Sequence, residues 1–214
     1  MEGALINSNG GALHPNIGNR YYQAKCTKFC GDPMKFDGKI RPLGVVEHEN
    51  LKRAVLSAPP AMWLEDSIRQ EKFSDVHYAT QSIIMVFVDL TVWPSLKVDK
   101  RGGWQHFAGF TQPIVEDIIT RHFKPGGVVI RAMIANLLPG SRITPHIDTH
   151  PSFAVGHRIH VPLLTSELVD FSIAGEVFHL QEGHAYEINN LEMHGVHNRG
   201  TQDRLHLIFD YVEP

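Results

Sequence analysis

The sequence predicts a mainly β chain whose strands close a double-sheet barrel, with helices packed outside it. Three observations predict this. Helical periodicity is confined to the first 123 residues, the chain beyond residue 127 breaks into short extended runs, and Gly or Pro turns separate those runs at regular intervals. The 214 residues, 43% apolar and 20% charged, suffice for one well-packed domain. Neither a repeat nor a linker interrupts the pattern. Residues 1–214 are therefore expected to form a single domain, with an N-terminal arm and helix over 1–64 and the barrel core over 65–214.

Residues 1 to about 40 are rich in Gly, Asn and Lys without a period, and read as an irregular arm. From Glu49 to Ala58 the apolar positions Leu51, Ala54, Val55 and Ala58 share one helix face, and Pro59-Pro60 stops that helix. Phe73 to Val88 holds two extended pieces. The second, Ser82 to Val88, is almost continuously apolar and β-branched, as a central strand requires. Gln112 to Phe123 is the clearest helix: Pro113 suits its first position, Ile114, Val115, Ile118, Ile119 and Phe123 form a stripe, and Lys124-Pro125-Gly126-Gly127 ends it. Short strands follow over Val128–Leu138, Arg158–Leu164, Phe171–Ile173, Val177–Leu180, His184–Ile188 and Leu205–Val212. Pro139-Gly140, Ala174-Gly175 and Glu182-Gly183 supply turns between them. Helices first and antiparallel strands afterwards give a double-stranded β-helix, the cupin-like jelly roll, with the N-terminal helices packed outside.

Composition excludes several roles. A formal charge of −3, with Lys and Arg scattered, provides no basic field for nucleic acid. No apolar run reaches membrane-spanning length; the longest, Ile83 to Val88, suits a buried strand. The first residues lack the basic and apolar segments of a signal peptide, and Cys26 and Cys30 are too few for a disulfide framework. A cytoplasmic protein with two reduced thiols is the expectation.

The chemistry concentrates between Thr144 and Arg204. Thr144-Pro145-His146-Ile147-Asp148 places an imidazole and a carboxylate on one face of an extended segment, because strand side chains alternate. A histidine from a distant strand would complete a 2-His-1-carboxylate set, the ligand pattern of non-haem Fe(II) oxygenases. His194 and His197, in His194-Gly195-Val196-His197-Asn198, are both placed to supply it. Arg204 follows on the next strand, where an oxo-acid co-substrate needs an anchor. No nucleophile–base pair or phosphate loop supports a hydrolase or a kinase.

These residues resemble a family. Pro139-Gly140-Ser141, Pro145-His146-Ile147-Asp148, Arg158-Ile159-His160-Val161-Pro162-Leu163, His194 to Asn198 and Arg204 to Asp210 are similar to the aspartyl/asparaginyl β-hydroxylase-type 2-oxoglutarate-dependent dioxygenases, a group that includes bacterial proline hydroxylases. Arg69 to Phe73 and Thr80 to Ile83 fit less distinctively, and the likeness covers roughly residues 65 to 214. The resemblance implies Fe(II) held by His146, Asp148 and His194, with His194 chosen over His197. It implies Arg204 on the distal carboxylate of 2-oxoglutarate. It also places Arg158 and His160 on the same pocket wall, near the proximal carboxylate of the co-substrate or a substrate carboxylate. Asp148 stands where mammalian-type members have Gly, which likens this chain to the bacterial amino-acid hydroxylases. Ala135 stands where those members place a co-substrate-contacting serine.

The expected reaction is hydroxylation of an unactivated C–H bond in an amino acid, free and proline-like or within a peptide, using O₂ and releasing succinate and CO₂. Arg131, Arg158 and Trp104 are expected to contribute to the pocket, whereas His206 reads as a core histidine. A non-enzymatic cupin that binds a metal or a small acid is the alternative, distinguished by its lack of turnover.

Overall fold

The computed structural model describes residues 36–65 and 80–214. Most of the expected arm, Cys26 and Cys30, Arg69 to Phe73 and the first extended piece from Phe73 lie outside the described residues. Within them, strands β1 (Ile40–Val45), β2 (Thr80–Val88), β3 (Val98–Lys100), β4 (Val128–Leu137), β5 (Arg142–His146), β6 (His157–Leu164), β7 (Val169–Ile173), β8 (Glu176–Phe178), β9 (His184–Ile188), β10 (His194–Asn198) and β11 (Arg204–Val212) form two sheets. One has the order β1-β9-β6-β11-β4-β2-β3 and the other β5-β10-β7-β8. Every pairing between them is antiparallel. This is the jelly roll that the spacing of strands and turns predicts. The Ala174-Gly175 turn joins β7 to β8 with both residues at positive φ, 47° and 77°, as a two-residue hairpin of this twist needs.

The seven-stranded sheet is covered on both faces. Leu205, Leu207, Phe209 and Tyr211 of β11 join Ile134 of β4 and Val161 of β6 beneath the helices α1 (Glu49–Leu56) and α2 (Gly103–His122). The alternate residues of β11 turn into the barrel, where Ile208 meets Ile84, Met133 and Ala135. Leu137, Phe171, Ile173, Ile188 and Val196 fill the space between the sheets. β4 and β11 are consequently buried at every position, so they read as continuous rather than alternating strands.

Three local expectations change. Helix α2 begins at Gly103, not near Gln112, and Pro113 lies inside it. Pro113 and Gly109 face solvent, so water can take the Gly109 carbonyl that the proline ring cannot bond. Strand β1 falls where the irregular arm was expected to end; it is an edge strand, which tolerates Pro42 and a register slip between Pro42 and Gly44. A short helix α3 (Pro151–Val155) follows the His146–Asp148 segment, started by His150, whose Nδ1 accepts from the Ser152 N–H.

Candidate metal centre

Strands β5 and β10 bring the two ends of the motif together. His146 pairs with His194 across the ladder, and their ring centroids are 4.4 Å apart. The register slips immediately after His194, at Gly195. A Cβ there would stand 3.0 Å from the Ile143 carbonyl oxygen and 3.2 Å from Pro145 Cα, so glycine permits the close approach of β5. Pro145 and Ile147 point outward while His146 and Asp148 turn inward, as strand alternation predicts.

The ring orientations are set by the backbone. His146 Nδ1 lies 2.9 Å from the Thr144 carbonyl oxygen, and His194 Nδ1 lies 2.9 Å from that of Glu192. A carbonyl only accepts, so each Nδ1 carries the proton and each Nε2 presents a lone pair. Asp148 Oδ1 is 3.8 Å from His146 Nε2. Its Oδ2 accepts hydrogen bonds from Arg158 Nη1 and, at 2.8 Å, from Asn190 Nδ2. One ligand atom from each of His146, Asp148 and His194 lies within 4.8 Å of the others. The other such cluster among the described residues, His48, Glu49 and Glu182, already has the Lys52 ammonium bonded to Glu182.

Electrostatics keep these groups in ligating form. Burial pushes the His194 imidazole down to about 4, so it is neutral at physiological pH. Burial alone would raise the Asp148 carboxyl, but Arg158, His194 and the Asn190 amide together hold it below the usual carboxylate value.

The opposite wall comes from the large sheet. Arg204 is fully buried and its Nη2 donates to His206 Nδ1 at 2.7 Å. His206 Nδ1 must then be unprotonated, so the His160 Nδ1, 3.3 Å away, is the donor between the two rings. Burial, with Arg204 nearby, holds both His160 and His206 well below the ordinary histidine value. The Arg204 guanidinium also lies 5.9 Å from the Phe171 ring centre. Arg158 binds Asp210 with a two-pronged fork, Nε to Oδ1 at 2.8 Å and Nη2 to Oδ2 at 2.9 Å, besides its bond to Asp148.

All six expected site residues, His146, Asp148, Arg158, His160, His194 and Arg204, line one cleft. His197 points to solvent three residues beyond His194, on the opposite face of β10. His206 sits on the inward face of β11 as a buried, hydrogen-bonded histidine. Arg131 lies in the barrel interior against Asp210, whereas Trp104, in the first turn of α2, packs against the outer core with Lys100 over its ring. Trp104 is therefore no part of the cleft, because the helix that begins at Gly103 carries it to the other side of the sheet. Asp210 and Asn190 are two of the polar residues around the site that sequence reasoning left without a role. Asp210 was findable, since it lies six residues past Arg204 and so on the same strand face.

A jelly-roll barrel with a 2-His-1-carboxylate cluster between its sheets defines a candidate metal-dependent enzyme. The family model for aspartyl/asparaginyl beta-hydroxylase matches residues 54–214, and the chain belongs to that family of hydroxylases. No curated protein sequence matches it. Among solved structures, a non-heme monooxygenase in complex with nickel, ThoJ, is 14% identical with a TM-score of 0.51, covering 82% of this chain and 74% of its own. The viral collagen prolyl hydroxylase of Paramecium bursaria Chlorella virus-1, in its 2OG complex, is 9% identical with a TM-score of 0.49, covering 83% and 97%. An oxidoreductase of the 2OG-Fe(II) oxygenase family from Burkholderia pseudomallei is 14% identical with a TM-score of 0.46, covering 62% and 67%. At 14% identity the likeness to ThoJ is one of fold.

Proposed function

We propose that the chain is an Fe(II)- and 2-oxoglutarate-dependent dioxygenase that hydroxylates an amino acid, free or in a peptide. The observation that carries this is the convergence of His146, Asp148 and His194, with both histidine Nδ1 atoms tied to backbone carbonyls. Two neutral imidazoles and one carboxylate suit Fe(II) and leave positions open for a bidentate oxo acid and O₂. His146 and His194 present Nε2, and Asp148 presents Oδ1. Fe(II) held there with 2-oxoglutarate would supply the oxidising chemistry, in which O₂ would be consumed, the oxo acid would become succinate and CO₂, and a substrate C–H would become C–OH.

The rest is the work of this chain's own residues. Arg204 offers the distal carboxylate of 2-oxoglutarate a planar fork of N–H donors, which lysine cannot. His206 fixes that fork by accepting from Nη2, and Phe171 covers its face. His160 shares the wall, with its Nδ1 engaged by His206, and lines the cleft. Phe171, Ile208, Ile143 and Val196 line the same cleft with apolar surface.

A screen of free amino acids and short peptides for substrate-stimulated succinate release tests the reading. Succinate formation that depends on Fe(II) and rises with one substrate class is the expected result. Metal binding with no succinate under any condition refutes turnover.

A further inference from the structure

Beyond the three ligand residues, the loop that carries Asp148 is closed into a ring of side chains. From Asp148 the chain of contacts runs to Arg158 on β6 and, through its fork, to Asp210 on β11. Asp210 Oδ2 also accepts from Arg131 Nη1 on β4 at 3.0 Å. Arg131 Nη2 donates to Ser152 Oγ at 2.5 Å, and Ser152 Oγ lies 2.9 Å from His150 Nδ1. His150 stands two residues past Asp148, so the ring returns to the loop on which it began. Both guanidiniums also pack on the Phe153 ring, whose centre is 4.2 Å from the guanidinium carbon of Arg131 and 4.6 Å from that of Arg158.

Each member is in a place where its position is fixed. Arg131, Ser152 and Asp210 are buried, and Arg158 is nearly so. The partners come from three neighbouring strands of one sheet, with Asp210 directly opposite both Arg131 and Arg158 in the ladders. The two guanidiniums and the two carboxylates balance in charge. Because Arg158 and Asn190 both take Oδ2, the Asp148 carboxylate can turn only Oδ1 toward His146.

We propose that Asp210, Arg131 and Ser152 are positioning residues that act through Arg158 to hold Asp148 as a one-oxygen metal ligand. This rests on the metal-centre reading given above. The arrangement matches the general behaviour of metal sites, in which groups that orient a ligand tune affinity by about 10–100-fold when removed. The Asp210 carboxylate bonds both arginines, so its removal takes the two-pronged anchor from Arg158 and opens the ring at its middle. Ser152 closes the ring on the loop side, so its removal loosens the loop while leaving Asp210 in place.

The test uses the full chain and Co(II) alone, read by titration and by the visible absorption of the bound ion. Asp210→Asn keeps the volume and is expected to weaken Co(II) about 10–100-fold and to alter the absorption band. Ser152→Ala should shift both in the same direction by less, and stands in if Asp210→Asn fails to fold. The double variant Asp210→Asn/Arg131→Met restores the charge balance without restoring the hold on Arg158, so it should stay weak. Recovery of wild-type affinity there would show that only net charge mattered and would overturn the proposal. Wild-type affinity and spectrum in folded Asp210→Asn and in Ser152→Ala would overturn it as well, even if both variants melt earlier. The underlying reading fails separately: wild type that binds no Co(II), or Asp148→Ala that binds it unchanged, removes the metal centre itself and this proposal with it.

Discussion

Replacing Arg204 with alanine should abolish tight binding of 2-oxoglutarate while leaving the metal site intact. The guanidinium is buried, lies on the inward face of β11 and touches His206 and Phe171. A hydrogen bond to a charged group contributes about 1.5–3 kcal/mol, and a fork makes two that are geometrically linked. Truncation should therefore cost on the order of 2–4 kcal/mol, or roughly 30- to 700-fold in affinity at 1.4 kcal/mol per decade. Arg204→Lys should recover only part, since it offers a point charge in place of a planar fork. The assay is anaerobic titration of 2-oxoglutarate into protein at fixed saturating Fe(II), read by the visible band of the chelated oxo acid. Arg158→Ala serves as the contrast. Its guanidinium is engaged by Asp148 and Asp210, so its loss should weaken the metal before the oxo acid. If Arg204→Ala binds 2-oxoglutarate as wild type does, while Arg158→Ala binds metal normally and loses the oxo acid, the anchor has been placed on the wrong arginine.

Three further outcomes are expected. The chelate band should vanish in Asp148→Ala and in His194→Ala but persist in His197→Ala, whose side chain faces solvent; persistence in the first two would rule those ligands out. Acid should destabilise the metal-free protein from about pH 6.5 downward. His160 and His206 are held neutral in the fold and take protons once unfolded, so stability present above the unfolded value is lost as pH falls, by up to about 1.4 kcal/mol per pH unit for each histidine. Denaturant titrations at pH 7 and pH 5.5 measure that slope, and His206→Gln should flatten it. Finally, Glu187 is fully buried between His157, 2.6 Å away, and Arg41, 2.5 Å away, and ties β9 to β6 and β1. Glu187→Ala should cost about 3 kcal/mol, the low end for breaking a buried pair because Arg41 is partly solvated, and should lower the melting temperature without altering Co(II) affinity.

Legibility in the sequence followed the range of the interaction. The H-x-D pair and the Arg204–His206–Ile208 face were readable because both rest on a period of two within one strand. The third ligand needed more: two histidines on β10 stood open until the pairing of β5 with β10 set one inward. The resemblance to a family made the same choice without that geometry. The ring behind Asp148 was unreadable for the opposite reason. Arg158 and Asp210 are 52 residues apart and Arg131 and Asp210 are 79 apart, and nothing local in any of these residues announces the others. Helix α2 was truncated because a proline ordinarily marks a helix start, and only its position on the solvent face lets it sit in the interior. Strand β1 was lost because an edge strand with Pro42 and Gly44 carries a weak strand signal.

Strand β11 shows how one segment can serve stability and chemistry at once. Its outward residues, Leu205, Leu207, Phe209 and Tyr211, are buried beneath the helices, where each large apolar side chain contributes roughly 1.5–3 kcal/mol by leaving water. Its inward residues, Arg204, His206 and Asp210, are just as buried but polar or charged, and burying them is costly unless every partner is present. Apolar replacements of matching volume would satisfy the fold equally well, so stability alone does not explain a guanidinium and a carboxylate inside this barrel. What the inward row does explain is the cleft. Arg204 faces it directly, His206 fixes Arg204, and Asp210 holds the arginine that holds Asp148. Parity along the strand therefore separates the two demands. Changes at odd-numbered positions of β11 should register in melting temperature, and changes at 204, 206 and 210 in ligand and metal affinity.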